Sequence, residues 1–202
     1  MDPTTTIIIS IVISLIAGVV SGYVTHFVIE SADKRKWKHV KNELLESQRL
    51  LCSQILTSVR FFLGISIPSG FAATEESVFE FLKTEMIDNM QNHDSKIKYP
   101  NKTSAEAFIK NISGINSELL LQRDRFLLFK HSKPDYYEDC SSIINLINNI
   151  LLPFRTFPEI VERKHDGDKV FEAWRIQLKN NLKLLVDDVY EARTRSIRES
   201  KK

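Results

Sequence analysis

The first candidate for chemistry in this sequence is the segment from His165 to Asp168, which reads HDGD. A histidine and two carboxylates around a glycine are residue types that bind metals. Calcium loops, however, require several spaced oxygen ligands and a bidentate glutamate at the twelfth position, and Asp166 and Asp168 do not supply that set. We therefore interpret the segment as a glycine turn in which Asp168 caps the following helix.

A second candidate for metal chemistry begins just before that turn. Glu162 and His165 have the Glu-x-x-His spacing of di-iron bundles, which need two such pairs on facing helices, and the sequence contains this spacing once. The motifs of phosphate-binding loops, dinucleotide-binding turns, zinc proteases, serine hydrolases and C-x-x-C sites do not occur. We expect no metal, no cofactor and no catalytic residue. An enzyme whose site leaves no motif is the alternative.

The two cysteines are the remaining reactive side chains. Cys52 and Cys140 each lie on the apolar face of a predicted helix. Buried free cysteines behave as small apolar residues, and disulfides are rare in a reducing cytosol. We therefore predict two buried thiols rather than a disulfide.

The element that positions the rest of the chain is an apolar run from Ile7 to Ile29, which contains no Asp, Glu, Lys or Arg. As a helix, a run of this length covers the roughly 30 Å hydrocarbon core of a bilayer. A buried core helix would carry a polar stripe, and a cleaved signal peptide would begin with basic residues and end at a small-residue site. We predict that residues 1–30 form a terminal tail and a single uncleaved membrane anchor in the lipid bilayer.

Basic residues are concentrated on one side of this run. Residues 31–41 contain five basic residues and one acidic residue, Asp33, whereas no basic residue precedes the run; we call these five the basic cluster, Lys34, Arg35, Lys36, Lys38 and Lys41. Lys and Arg are retained on the cytoplasmic side, so we predict an external amino terminus and a cytoplasmic carboxyl-terminal domain. Each such residue adds about 1 kcal/mol of attraction to anionic lipid headgroups, which are predicted partners.

Small side chains recur every fourth residue along the anchor. This small-residue face consists of Ser10, Ser14, Gly18 and Gly22. Small residues let two membrane helices approach closely, and the last two form a G-x-x-x-G step. The face predicts pairing, as a homo-oligomer or with a partner membrane helix. Because small residues are common in membrane helices generally, a face that contacts only lipid is the alternative.

The composition after the anchor favours an all-α domain. The chain has 28 Lys and Arg against 26 Asp and Glu, for a net charge of +2, and only six Gly and six Pro in 202 residues. Few turn residues argue against a β fold. No basic stripe interleaved with exposed aromatics occurs, so we expect no nucleic-acid partner.

The apolar periodicity after the anchor predicts an elongated bundle of about five helices. Residues 31–67 are a stalk helix that continues from the anchor and keeps Gln48 and Arg49 in solvent, residues 68–192 are the rest of the bundle, and residues 193–202 are a basic tail. We predict that the stalk helix stops at Pro68 and that a second helix, capped by Thr74, runs to about Asn92. A third helix runs from the capping box at Thr103 to near His131. A fourth runs from Pro134 to about Leu152, with an irregular turn from Pro153, and the last begins at Lys169.

The basic tail has two interpretations. It is a solvated, frayed terminus, or it contacts anionic lipid or an acidic partner. The second requires the tail to lie near the membrane. Five alternating helices would place it far from the bilayer, whereas an extra short helix after Pro158 would bring it back.

These features predict a single-pass membrane protein whose helical bundle acts as a non-enzymatic interaction or scaffolding module at the cytoplasmic membrane surface. The alternative is a signalling or regulatory subunit in which a change at the anchor passes through the stalk helix.

Overall fold

A computed structural model describes residues 3–67, 74–92, 102–129, 131–156 and 169–201. Within these ranges the chain forms five helices and no strand, which confirms the all-α prediction. The helices are α1 (Pro3–Leu63), α2 (Glu75–Asn92), α3 (Lys102–Leu127), α4 (Pro134–Thr156) and α5 (Lys169–Ser200).

Helix α1 is continuous through the predicted anchor, the basic cluster and the stalk. Its 61 residues correspond to about 90 Å at the rise of an α-helix. The large apolar side chains from Leu15 to Ile29 are all more than half exposed, and the first buried side chain in the described part of α1 is Leu44. Of the described helices, α1 alone is long and apolar enough to cross a membrane. The apolar part of α1 is therefore the part that the bundle leaves uncovered.

The end of α1 differs from the prediction. The helix ends at Leu63, several residues before Pro68, because Gly64 takes a left-handed conformation with φ of 65°. The Gly64 N–H donates to the Phe61 carbonyl and the Ile65 N–H donates to the Arg60 carbonyl, both at 3.1 Å. This pair of bonds is a Schellman motif, which closes a helix where glycine permits a positive φ.

Replacing Gly64 and Gly114 by alanine should change stability in opposite directions. Gly64→Ala is expected to lower the free energy of unfolding by about 1 kcal/mol, because a Cβ is strained at positive φ. Gly114 lies inside α3, and an added Cβ there meets no atom within 4 Å, so Gly114→Ala should raise it by roughly 0.5–1 kcal/mol. Denaturant unfolding of both variants measures this. Equal effects of the same sign would contradict the assignment of the turn.

Four helices close a ring around the core. Helix α1 packs on α3 and α5, and α4 packs on the same two helices. Each helix of the ring runs antiparallel to its two neighbours in the ring. Phe62 stacks on Phe108 with ring centroids 4.6 Å apart at the end far from the anchor, whereas Gln122 Nε2 donates to the Leu44 carbonyl at 2.6 Å nearer the anchor. This is the arrangement of a four-helix bundle.

Helix α2 lies outside the ring and contacts α1 and α5. Arg49 of α1 contacts Glu75 at the start of α2 at 2.8 Å, and Lys83 further along α2 contacts Asp187 at 3.0 Å. Since α5 runs back towards the anchor, these contacts mean that α2 runs in the same direction as α1. The helices therefore do not simply alternate, and the end of α5 returns to the anchor side of the bundle.

The predicted basic tail is part of a helix. Helix α5 continues to Ser200 instead of ending before residue 193. Arg193, Ser196 and Glu199 are buried, and Lys41 Nζ donates to the Glu199 carbonyl at 3.0 Å. Burial against α1 thus orders residues that their charge alone would leave in solvent, and the prediction of a frayed terminus is wrong as far as Ser200.

Helix α4 passes through the predicted turn at Pro153 and ends at Thr156. Proline removes one backbone hydrogen bond inside a helix. The helix nevertheless continues because Phe154 is buried and meets Trp174 of α5 edge-on, with ring centroids 5.4 Å apart. Pro158, Glu162 and the HDGD segment lie outside the described residues.

Candidate functional site

The basic cluster surrounds α1 between the uncovered apolar segment and the bundle. Lys34, Arg35, Lys36 and Lys38 are exposed. At 3.6 residues per turn these side chains point around the helix rather than along one face. Lys41 differs, because it is half-buried and its Nζ is bonded to the Glu199 carbonyl. Four of the five basic residues are thus exposed, and the fifth joins α1 to α5.

No described part of the chain covers the small-residue face from Ser14 to Gly22. Ser14, Gly18 and Gly22 are exposed. A Cβ added at either glycine meets no atom within 4 Å. Ser10 lies in α1, but its side chain is outside the described part. The face is therefore open along its described length to lipid or to another helix.

Three segments of the bundle meet at the end that faces the anchor. In the turn between α3 and α4, His131 Nε2 lies 3.6 Å from Asp33 Oδ2. The Trp37 ring lies 5.6 Å from the Phe129 ring, so Trp37 belongs to the edge of the core. Lys133 contacts Glu199 of α5 at 2.8 Å. These contacts tie the turn and the end of α5 to the first turns of α1 after the anchor.

A polar layer crosses the core, and sequence reasoning missed it. Gln48 was predicted in solvent but is fully buried. Its Oε1 accepts from Ser196 Oγ at 3.0 Å, and its Nε2 donates to Cys140 Sγ at 3.9 Å. Buried polar groups need partners, so this layer favours one alignment of α1, α4 and α5. The only signal in the sequence was a glutamine at a position that the apolar spacing also allows.

A second missed feature is the charged contact that holds α2. Arg193 is 2% exposed; its Nη2 donates to Glu75 at 2.8 Å, its Nε donates to Ser53 at 3.1 Å, and its guanidinium lies 4.1 Å from the Phe79 ring centre. The hydrogen bond from Arg193 lowers the pKa of Glu75, and Arg49 lowers it further. These groups line an open cleft of about 390 Å³. Its arginines are paired with carboxylates, so the cleft is a contact between helices rather than an anion site.

The cysteines are two buried free thiols, as predicted. Burial raises the pKa of Cys140 to about 12 and that of Cys52 further above its usual value. A thiol with a raised pKa is a poor nucleophile because only the thiolate reacts readily. Among the described residues no group of three or more His, Cys, Asp or Glu side chains is placed to hold a metal ion.

Asp139 of α4 is a partly buried carboxylate with incomplete partners. Its Oδ1 lies 3.4 Å from Arg195, and within the described chain no group donates a hydrogen bond to its Oδ2. Loss of hydration on burial raises its pKa from 3.8 to about 6. The folded protein therefore binds this proton more tightly than the unfolded chain does.

Asp139→Asn should make the fold less sensitive to pH. A raised folded pKa means that the free energy of unfolding falls as the pH rises from about 4 to about 6. The variant is expected to be more stable than the parent by about 1 kcal/mol at pH 7.5 and to differ little at pH 4. Urea unfolding at both pH values tests this. Asp135→Asn is the control, because Asp135 contacts the same Arg195 from an exposed position.

A shallow groove lies between α1 and α3. Leu50 and Phe61 are more than half exposed along its α1 side, and the polar Gln54 and Thr57 lie between them. Asn111 lines it from α3, and its volume is about 400 Å³. Apolar side chains beside polar ones in an open groove are typical of a protein contact rather than of a substrate pocket.

Comparison of the chain with protein-family models, with curated proteins and with solved structures gives no match. Function is therefore inferred from the residues described above.

Proposed function

We propose that this chain is a single-pass membrane protein whose helical bundle binds partner proteins at the cytoplasmic face of the membrane, without catalysis. The observation that carries the proposal is the continuity of α1. An uncovered apolar segment, an exposed basic cluster and the first helix of a packed bundle follow one another in one helix. This order is that of a membrane anchor joined rigidly to the domain it holds.

The orientation in this proposal follows from the basic cluster. Lys34, Arg35, Lys36 and Lys38 lie on the bundle side of the apolar segment, and basic residues near a span stay on the cytoplasmic side. Their exposure leaves them free to attract anionic headgroups. The amino terminus is then external and the bundle is cytoplasmic.

The groove between α1 and α3 is the surface on which we place the partner. Leu50 and Phe61 lie eleven residues apart, or about three turns, and thus on one face of α1. A groove between two antiparallel helices accepts an amphipathic helix, whose apolar residues then pack on such a row. The proposed occupant is a helix of a partner protein.

A reporter fused after Lys202, together with membrane fractionation, tests the topology. The proposal expects a cytoplasmic reporter in the membrane fraction and a soluble protein when residues 1–30 are deleted.

A photoreactive amino acid at Phe61 tests the groove. A discrete adduct that is lost with Leu50→Glu and absent when the probe replaces Ile176 on α5 supports it. Equal adducts at both positions, or an external reporter, would contradict the proposal.

Pairing through the small-residue face gives a prediction for the anchor. Gly18→Ile with Gly22→Ile should lower self-association or partner binding at least tenfold, because the larger side chains keep two backbones apart. An added Cβ at either glycine meets no atom of the chain within 4 Å, so the substitutions have room at the backbone. Resonance energy transfer in liposomes measures the pairing. Val20→Ile, a change of one methylene outside the face, is the control; unchanged transfer in the glycine variant would mean that the face contacts lipid alone.

A signalling or regulatory subunit is the second candidate, and the same continuity favours it. A helix with no break between anchor and core passes a displacement of the anchor to the bundle, provided that the bundle has two packed arrangements. The contact of His131 with Asp33 would report such a change. Crosslinking between these two positions that stays constant under every condition would count against this candidate.

A further inference from the structure

Helix α3 ends at an exposed leucine, Leu127, and a second exposed leucine, Leu128, follows it. Leu127 is 61% exposed and Leu128 is 78% exposed, the highest value for any large apolar side chain in the described chain. A single exposed leucine on a folded surface is ordinary. Two consecutive leucines at the tip of a bundle are less so, and the neighbouring Phe129 is instead partly buried against the core.

The turn after α3 contacts α1 only a few residues beyond the anchor. The turn that follows the leucines contacts α1 through His131 and Asp33, 3.6 Å apart, and through Phe129 and Trp37. Asp33 follows the last apolar residue of the anchor, Ile29, by four residues, or about 6 Å along the helix axis. The headgroup layer on each side of a bilayer is about 5–7 Å thick. With the anchor in the bilayer, His131 therefore lies at the depth of the headgroups, and Phe129, beside the leucines, contacts Trp37 about 12 Å beyond Ile29. The tilt of membrane helices, about 20° on average, brings one side of this bundle end closer to the headgroup layer.

The charges around the tip suit an anionic membrane surface. The exposed part of the basic cluster surrounds α1 at the same level, and Arg125 and Arg198 add exposed basic side chains. Most of the nearby carboxylates lie beside a basic group. Glu199 is paired with Lys133, Asp124 with Arg123 and Asp135 with Arg195, while Asp33 lies 3.6 Å from His131 and the half-exposed Glu30 lies 3.7 Å from His26.

We propose that Leu127 and Leu128 insert into the interfacial layer of an anionic bilayer and form a second membrane contact, which holds the bundle end-on against the membrane. The inference rests on the proposed membrane anchoring. Apolar side chains flanked by basic ones bind at this depth through apolar burial and attraction to anionic lipid. A lipid surface is favoured over a protein partner because α1 already brings the tip to that surface.

Site-specific labelling of the full chain in nanodiscs tests the proposal. Leu128→Cys is labelled with a polarity-sensitive fluorophore; Cys52 and Cys140 are both fully buried and have raised thiol pKa values, so the introduced thiol reacts selectively. Discs contain phosphatidylserine and phosphatidylcholine, with nitroxide-labelled lipid as quencher. Leu152→Cys is the matched control, since Leu152 is 63% exposed near the opposite end of the bundle.

The expected result is quenching at position 128 at least threefold stronger than at position 152, with a blue-shifted emission. Equal, weak quenching at both positions in discs that retain the protein would overturn the second contact while leaving the anchor intact. Failure of the chain to enter discs at all would overturn the anchor, and the second contact with it. Unchanged quenching at position 128 in discs without phosphatidylserine would refute the requirement for anionic lipid. Leu127→Cys repeats the measurement at the neighbouring position.

Discussion

Replacing both Val19 and Val20 by arginine should release this protein from membranes. Both valines lie near the middle of the apolar segment and are more than half exposed, so no described part of the chain shields a charge placed there. Each arginine at the centre of a membrane helix costs about 2.5–3.5 kcal/mol on insertion scales. The pair therefore removes the advantage of insertion. Alkaline extraction and flotation are expected to move the variant from the membrane to the soluble fraction.

Leu184→Arg is the control for that experiment. Leu184 is 52% exposed on α5 and belongs to the bundle, so an added charge there should leave the protein in the membrane fraction. Circular dichroism should show a folded bundle in both variants, because the buried part of α1 in the described chain begins at Leu44, well beyond the two valines. A Val19→Arg/Val20→Arg protein that still resists alkaline extraction would show that the apolar segment is not the anchor.

The second large effect is expected in the core of α5. Leu185→Ala should lower the free energy of unfolding by about 3–5 kcal/mol, because truncation of a buried leucine loses apolar burial and leaves a cavity. Leu185 is 0% exposed. Denaturant unfolding of the full chain in mild detergent, followed by helical circular dichroism, measures the loss.

The adjacent Leu184 supplies a matched control. Leu184→Ala has the same chemistry on the same helix, but its side chain is half exposed, so the expected change is within about 0.5 kcal/mol. The difference between the two losses in free energy of unfolding reports burial alone, since helix propensity changes equally in both variants. Similar losses at positions 184 and 185 would mean that α5 is rotated from the orientation described here.

Much of the fold follows from signals that are local in the sequence. The predicted start at Thr74 agrees with α2, where the Ser77 N–H donates to Thr74 Oγ1 at 3.4 Å. Proline at residue 134 and the polar segment before Lys169 likewise mark the starts of α4 and α5. Caps, prolines and apolar spacing act over a few residues, so one sequence is enough to find them.

Tertiary contacts decided the features that local signals predicted wrongly. The last turns of α5 are rich in charge, yet Arg193 is ordered by Glu75, Ser53 and Phe79 from two other helices. Pro153 stays within α4 because of a ring contact with α5. None of these contacting residues is a neighbour in sequence, so apolar periodicity and helix propensity contain no information about the contacts.

The residues of the proposed membrane contacts were predicted only in part. The basic cluster and the apolar segment are composition signals and were found, whereas the leucines at the end of α3 were not. A helix predicted to end near His131 would have continued past Leu127 and Leu128. Their exposure depends on the helix ending at Leu127 and on the turn folding back onto Trp37.

Because α1 is unbroken from Pro3 to Leu63, the rotation of the bundle about the membrane normal relative to the anchor is set by the number of residues between them. Each residue between the anchor and the bundle contributes about 100° of rotation and 1.5 Å of height. The small-residue face and the groove beside Phe61 therefore keep a fixed angular relation. If two copies pair through their anchors, the faces that their bundles turn towards each other are already chosen by the length of the helix.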